Sequence, residues 1–243
     1  MLSAQGKQAR ISRREQRGTA GKSGLARRKG VYTILCPPFI EPQTLNRIAL
    51  QTKTGKTARV DLQVIQMIED LKEICGSIGI EVETKVLIEG FSAGGHFGNR
   101  FTALHPELVQ AVASGGISQP ILPIDITDRE KLIYPVGIQD IEKITGISFN
   151  LQQYVNVHQF IYVGSADTND PASRSGHMFG DEEIRIIHKI LGMNRIKRFE
   201  ISQRIYEEQG CTNAKYVIYD GVGHTINNRI QRDIIEFLKS NMN

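Results

Sequence analysis

The chain has 243 residues, 40% of them hydrophobic and 23% charged, with a formal net charge of +4; this is the size and balance of one soluble α/β domain. Its apolar runs are shorter than the ~18 residues of a membrane-spanning helix, and no apolar segment follows the basic N-terminus, so no secretory signal is expected. Cys36, Cys75 and Cys211 are widely spaced and form no C-x-x-C pair, so neither a zinc site nor a disulfide framework is indicated, and reduced thiols in a cytoplasmic protein are expected.

Residues 1–30 hold nine basic side chains against Glu15 alone, a net +8, which leaves −4 for the rest of a chain whose total is +4. Residues 1–24 read as a basic, disordered leader, too polar to offset the entropy of ordering. The leader is rich in arginine and nearly free of acids, as organelle-targeting segments are, but a solvated leader is the simpler reading. It contains no aromatic residue to stack on bases, so no nucleic-acid partner is expected.

The domain proper is expected over 25–243. Val31–Cys36 is a β-rich apolar run stopped by Pro37-Pro38, and residues 40–57 are polar and irregular. Val64, Ile68, Leu71 and Cys75 fall at helical spacing up to Gly76. Lys85–Glu89 predicts a strand, 94–104 a helix ended before Pro106, and Val109–Ala113 another strand. The stretch 116–157, with Pro120, Pro123 and Pro135 and little periodicity, reads as a lid or cap over a pocket. Gln159–Val163 and Lys215–Tyr219 are further strands; single helices are predicted over about 182–209 and 228–239. Alternation of strands and helices implies an α/β fold with a mostly parallel sheet covered on both faces.

The strongest chemical signal is Gly90-Phe91-Ser92-Ala93-Gly94, a G-x-S-x-G pentapeptide placed between a predicted strand and a predicted helix. That context gives the pattern its meaning. A serine on a tight strand-to-helix turn is held out of the sheet in a strained conformation, and glycine is expected at both flanking positions because a side chain would collide there. The helix N-terminus then lies under the reacting carbonyl, where the Ala93 backbone N–H can donate to an oxyanion.

With these residues in place the sequence resembles the α/β-hydrolase superfamily over about residues 25–243, in particular small esterases related to polyhydroxyalkanoate depolymerases and prolyl-oligopeptidase catalytic domains. The resemblance implies a nucleophile, acid and histidine in that chain order, each on the loop after a strand. Asp220-Gly-Val-Gly-His224 follows one predicted strand and supplies His224 as the base. Gly164-Ser-Ala-Asp167 follows another and matches the superfamily's acid loop, with Asp167 preferred as the orienting acid and Asp170 as its competitor. His96, one helical turn after Ser92, reads as a packed helix residue.

The front of the chain departs from the pattern. The superfamily normally has three strands before one like Val31–Cys36, and no apolar run of period two precedes it here. The first three strands are therefore expected to be missing, with Gly18-Thr-Ala-Gly21 the sole stand-in for the second oxyanion loop. The alternative takes Val31–Cys36 as the third strand and Pro37-Pro38-Phe39 as that loop. Gly21-Lys22-Ser23 and Gly55-Lys56-Thr57 carry the tail of a phosphate loop, but Gln16 and Leu50 stand where its first glycine is needed, so nucleotide binding is rejected. The expected function is a serine hydrolase that cleaves a small-molecule carboxylic ester without metal or cofactor. A non-catalytic or impaired hydrolase-like binding protein is the competing reading.

Overall fold

The computed structural model describes residues 45–51, 58–117, 119–128, 130–173, 176 and 178–242. The chain divides into Met1–Phe39 and Ile40–Asn243, and the described residues belong to the second unit. The leader, Val31–Cys36 and both candidates for a second oxyanion loop lie outside the described residues.

The elements in chain order are α1 (Arg47–Gln51), α2 (Val60–Ser77), β1 (Val86–Phe91), α3 (Ala93–Leu104), β2 (Val109–Gly115), β3 (Ile126–Thr127), β4 (Glu130–Lys131), α4 (Ile141–Thr145), α5 (Leu151–Tyr154), β5 (His158–Gly164), α6 (Asp181–Leu191), α7 (Arg195–Glu208), β6 (Ala214–Tyr219) and α8 (Asn228–Ser240). Helix α2 buries Val60, Val64, Ile68 and Cys75 along one stripe, as the periodicity requires. It continues one residue past Gly76 and ends before Gly79, whose φ of +72° cannot extend a right-handed helix. The short α1 falls inside a stretch expected to be irregular; its first turn is capped by the Asn46 side chain, which accepts from the Ala49 N–H at 2.8 Å.

Four parallel strands form the main sheet in the order β1-β2-β5-β6. The two inner strands are buried almost throughout, which explains why they read as continuous apolar runs rather than alternating ones. Alternate residues serve opposite faces. Gly98 of α3 packs against Ile88 and Val112, while Ala113, Phe160, Tyr162 and Tyr219 form a cluster with Ile230 and Ile234 of α8. The β3–β4 ribbon, α4 and α5 lie within 116–157, and Leu122, Leu132 and Val136 of that stretch pack with Ile186, Ile187 and Leu191 of α6.

One expected helix is two. The run over 182–209 breaks at Gly192, which has φ +82° and closes α6. Asn194 then starts α7, its side chain accepting from the Lys197 N–H at 3.0 Å. The reason is local: a left-handed glycine followed two residues later by a capping asparagine ends one helix and begins another. The break turns the first residues of α7 back toward the edge of the sheet where β5 ends.

That edge is set by register. Phe91 lies beside Gly115, Gly115 beside Tyr162, and Gly164 beside Tyr219, so the carboxyl ends of β1, β2, β5 and β6 finish together. The loops that leave them converge, as crevices do in open parallel sheets.

Candidate active site

Ser92 occupies the turn between β1 and α3 with φ 57° and ψ −118°, a strained conformation for a residue with a side chain. Its N–H donates to the Gly115 carbonyl at 2.8 Å, and its carbonyl accepts from His96 N–H at 3.0 Å, so the turn is fastened to β2 and to the helix it opens. A Cβ on Gly90 would stand 2.2 Å from the Gly94 carbonyl oxygen. The expectation for Gly94 needs correction: a Cβ there meets nothing within 4 Å, and Gly95 is the tight position, with Gly115 O at 2.5 Å. Helix α3 leans onto β2 through the second glycine of the pair, which leaves the first facing open space. Ala93 is the first residue of α3, where helical N–H groups have no intrahelical partner.

His224 reaches the elbow on the loop after β6. Its Nε2 lies 2.9 Å from Ser92 Oγ, and its Nδ1 lies 2.8 Å from Asp167 Oδ2. With Asp167 ionised, Nδ1 carries the proton and donates to the carboxylate, which leaves the Nε2 lone pair to accept from Ser92. The Phe91 ring packs against the imidazole at a centroid distance of 4.7 Å. Burial grades along the three side chains: Asp167 is 1% exposed at its side chain, His224 26% exposed, and Ser92 half-buried at the surface of the crevice.

The acid and histidine loops are laced together. A Cβ on Gly164 would lie 2.0 Å from the Val222 carbonyl oxygen, so only glycine lets the second loop cross the end of β5. The Ala166 N–H donates to that same carbonyl at 3.0 Å. Ser165 Oγ donates to Asp220 at 3.0 Å and accepts the Gly221 N–H at 2.8 Å.

The structure thus brings Ser92, His224 and Asp167 together and leaves Asp170 apart. Asp170 Oδ2 pairs with Arg198 Nη2 at 2.5 Å, and its Oδ1 accepts the Ala172 N–H. His96 is buried against Phe179. Burial first, then the neighbouring Arg100 and Arg195 cations, push its pKa well down, so it is neutral.

Three site residues have no counterpart in the sequence reading. The Asn169 side-chain amide donates to His224 Nε2 at 3.0 Å, sharing the lone pair that accepts from Ser92, and its backbone N–H donates to Asp167 Oδ1 at 2.9 Å. Arg195 Nη1 lies 2.7 Å from Asp167 Oδ1. Gly116, with φ +63°, sits where a Cβ would be 3.2 Å from His224 Cε1. The one available signal was the short polar stretch Thr168-Asn169-Asp170 beside the preferred acid. Burial works to raise the Asp167 carboxyl; hydrogen bonds from Arg195, His224 and the Asn169 N–H, with the Arg195 charge, outweigh it and hold the group below its ordinary value. Among the described residues, no group of three or more His, Cys, Asp or Glu side chains could hold a metal ion, and no helix is long and apolar enough to cross a membrane.

No family model matches the chain, and no curated protein matches it. Solved structures do. The chain is similar to Arabidopsis thaliana SOBER1, with 16% identity over 75% of this chain and 65% of that one, at a TM-score of 0.40. It is similar to poly(aspartic acid) hydrolase-1 from Sphingomonas sp. KT-1, with 17% identity over 70% of this chain and 59% of that one, at a TM-score of 0.47. A carboxylesterase structure from the ammonia-oxidizing thaumarchaeon Nitrososphaera gargenis matches at 12% identity over 72% of this chain and 71% of that one, at a TM-score of 0.31. The chain therefore spans less than two thirds of the length of the first two proteins.

Proposed function

We propose that the protein is a serine hydrolase that cleaves a carboxylic ester of a small molecule through an acyl-enzyme, with Ser92, His224 and Asp167 as its triad. The observation that carries this reading is the unbroken chain from Ser92 Oγ to His224 Nε2 at 2.9 Å and from His224 Nδ1 to Asp167 Oδ2 at 2.8 Å. His224 takes the Ser92 proton as Oγ attacks the ester carbonyl, and returns it to the departing alcohol as the tetrahedral intermediate collapses. Water then attacks the acyl-enzyme by the same route and releases the acid. Asp167 keeps the imidazole in the tautomer that accepts at Nε2 and stabilises the imidazolium. The Ala93 N–H at the start of α3 donates to the oxyanion. The stretch 116–157 departs from β2 beside His224 at Gly116, which favours it as the lid that selects the acyl or alcohol group. No step in this scheme uses a metal or an organic cofactor.

The test is hydrolysis of p-nitrophenyl acetate together with labelling by a fluorophosphonate. The wild-type chain labels at Ser92 and turns over the ester. Ser92→Ala abolishes both, with a loss of about 10³-fold or more and an unchanged circular dichroism spectrum. Asp167→Asn loses on the order of 10⁴-fold, because the amide favours the wrong tautomer, and Asp170→Asn loses far less. Residual Ser92→Ala activity above about a hundredth of wild type, against that expected loss, would remove Ser92 as the nucleophile.

A further inference from the structure

Two arginines one turn apart at the start of α7, Arg195 and Arg198, face two aspartates equally spaced on the acid loop, Asp167 and Asp170. Arg195 Nη1 bridges two atoms of one residue: it lies 2.7 Å from Asp167 Oδ1 and donates to the Asp167 carbonyl at 3.0 Å. Arg198 Nη2 holds Asp170 and its Nη1 donates to the Met193 carbonyl at 2.7 Å, which pins the corner between α6 and α7. Both arginines are buried, Arg198 completely.

As a device for stability this arrangement is poor. Cations in the first turn oppose the helix dipole, and α7 has no acid there to compensate. Buried ion pairs rarely outperform apolar packing of the same volume. Arg195 also keeps Nε and Nη2 buried without a hydrogen-bond partner among the described residues. What it does accomplish is local. Asp167 Oδ1 is occupied by Arg195 and by the Asn169 N–H, so the carboxylate cannot rotate, and the remaining oxygen is aimed at His224 Nδ1.

We propose that Arg195 is a positioning residue of the triad: it fixes the Asp167 carboxylate so that Oδ2 faces the imidazole, while the Arg198–Asp170 pair holds the far end of the same loop. This inference rests on the serine-hydrolase reading above. Among the described residues, His224 pairs with Asp167, His96 of α3 feels the charge of Arg195 together with that of Arg100, Glu183 of α6 acts on Arg100, and Arg198 pairs with Asp170. Of these, His96 is neutral, Asp170 is neutralised by Arg198, and His224 is the partner itself. Arg195 is therefore the cation in direct contact with Asp167. Without it the largest of the interactions that hold the carboxyl down is lost, and the group takes up a proton at higher pH.

The experiment follows kcat and KM for p-nitrophenyl acetate from pH 3 to pH 9 in the full chain, so that the Asp167 carboxyl titrates within the range, comparing wild type, Arg195→Met and Arg195→Lys, with fluorophosphonate labelling at Ser92 alongside. Arg195→Met is expected to lose about 10- to 100-fold in kcat with little change in KM, since Arg195 is buried against Asp167. Its acid limb is expected to move up by about half a pH unit or more. Arg195→Lys keeps the cation, so its acid limb stays with wild type while kcat falls less. If Arg195→Met does not fold, Arg195→Gln, neutral and polar, takes its place with the same expectation. A neutral variant whose loss is uniform across pH, or a lysine variant whose limb moves as far as the neutral one, overturns the positioning role and leaves Arg195 as packing. A wild-type chain that neither labels nor hydrolyses instead overturns the hydrolase reading itself, and this inference with it.

Discussion

Ser92 has a positive φ and a side chain, and the cost of that conformation, about 1–3 kcal/mol, has to be met by its surroundings. The bond from Ser92 N–H to Gly115 O and the direct backbone contact at Gly90 do so. The two glycines of the G-x-S-x-G pattern are therefore unequal. Gly90→Ala drives a Cβ to 2.2 Å from the Gly94 carbonyl oxygen. Backbone must shift, and we expect a loss of at least ~2 kcal/mol in stability and about 100-fold in ester hydrolysis. Gly94→Ala meets open space in a helical position. It should keep hydrolysis within a few-fold of wild type and gain ~0.5–1 kcal/mol from reduced unfolded-state entropy. Thermal melts and p-nitrophenyl acetate rates of the two variants decide the matter; equal damage from both would mean that the turn needs glycine for a reason other than contact.

At the scale of elements, strands and elbow were legible because they are local. Val86–Ile88 and Phe160–Val163 are short apolar runs, and the inner strand β5 is buried almost throughout, as a parallel sheet covered on both faces demands. Ser92, Asp167 and His224 stood out as candidates because each lies on the turn or loop after such a strand. The arginine clamp could not. In the sequence Arg195 and Arg198 fall inside one long expected helix, and only the break at Gly192 turns them inward. Asn169 and Gly116 were equally illegible, since their meaning depends on a histidine more than 50 residues away in the chain. Helix α7 is joined to the rest by a second polar cluster that burial alone would not announce. Tyr206 Oη donates to the Ile121 carbonyl at 2.8 Å and accepts from Tyr154 Oη at 2.7 Å, and Asn99 of α3 accepts the Ile121 N–H at 2.8 Å. Tyr206→Phe leaves a buried carbonyl and a buried hydroxyl short of a partner. We expect it to cost ~1–3 kcal/mol and to lower the melting temperature by about 3–8 °C. Hydrolysis at 25 °C should stay near wild type, since the cluster touches none of Ser92, His224 and Asp167. An unchanged melting temperature would show that the phenol bonds are replaced by others.

Across the whole molecule, α2, the end of α3 and the 116–157 stretch meet at one buried carboxylate. Asp61, with 0% exposure, pairs with Arg59 at 2.8 Å and with His105 Nε2 at 2.9 Å, and Arg59 Nη1 also donates to the Thr145 carbonyl at 3.0 Å. Burial raises the Asp61 pKa, but the hydrogen bonds from His105 and Arg59 and their charges more than reverse this and bring it to about 2. The sign of the linkage follows. A carboxyl whose folded value lies below its unfolded one, near 3.9, stabilises the fold fully above pH ~4, and the contribution fades as pH falls through about 2. Its size is on the order of 2 kcal/mol. Asp61→Asn removes the contribution and leaves two donors facing an amide, so at pH 7 the variant should melt about 5–10 °C below wild type. Between pH 5 and pH 2 wild type should lose stability faster than the variant, and the two melting curves should converge. The measurement is a paired set of thermal melts at half-unit steps across that range, in constant ionic strength so that screening does not mimic titration. A gap that stays constant with pH would mean that Asp61 acts through shape and neutral hydrogen bonding, and that the joint between α2, α3 and the 116–157 stretch does not depend on its charge.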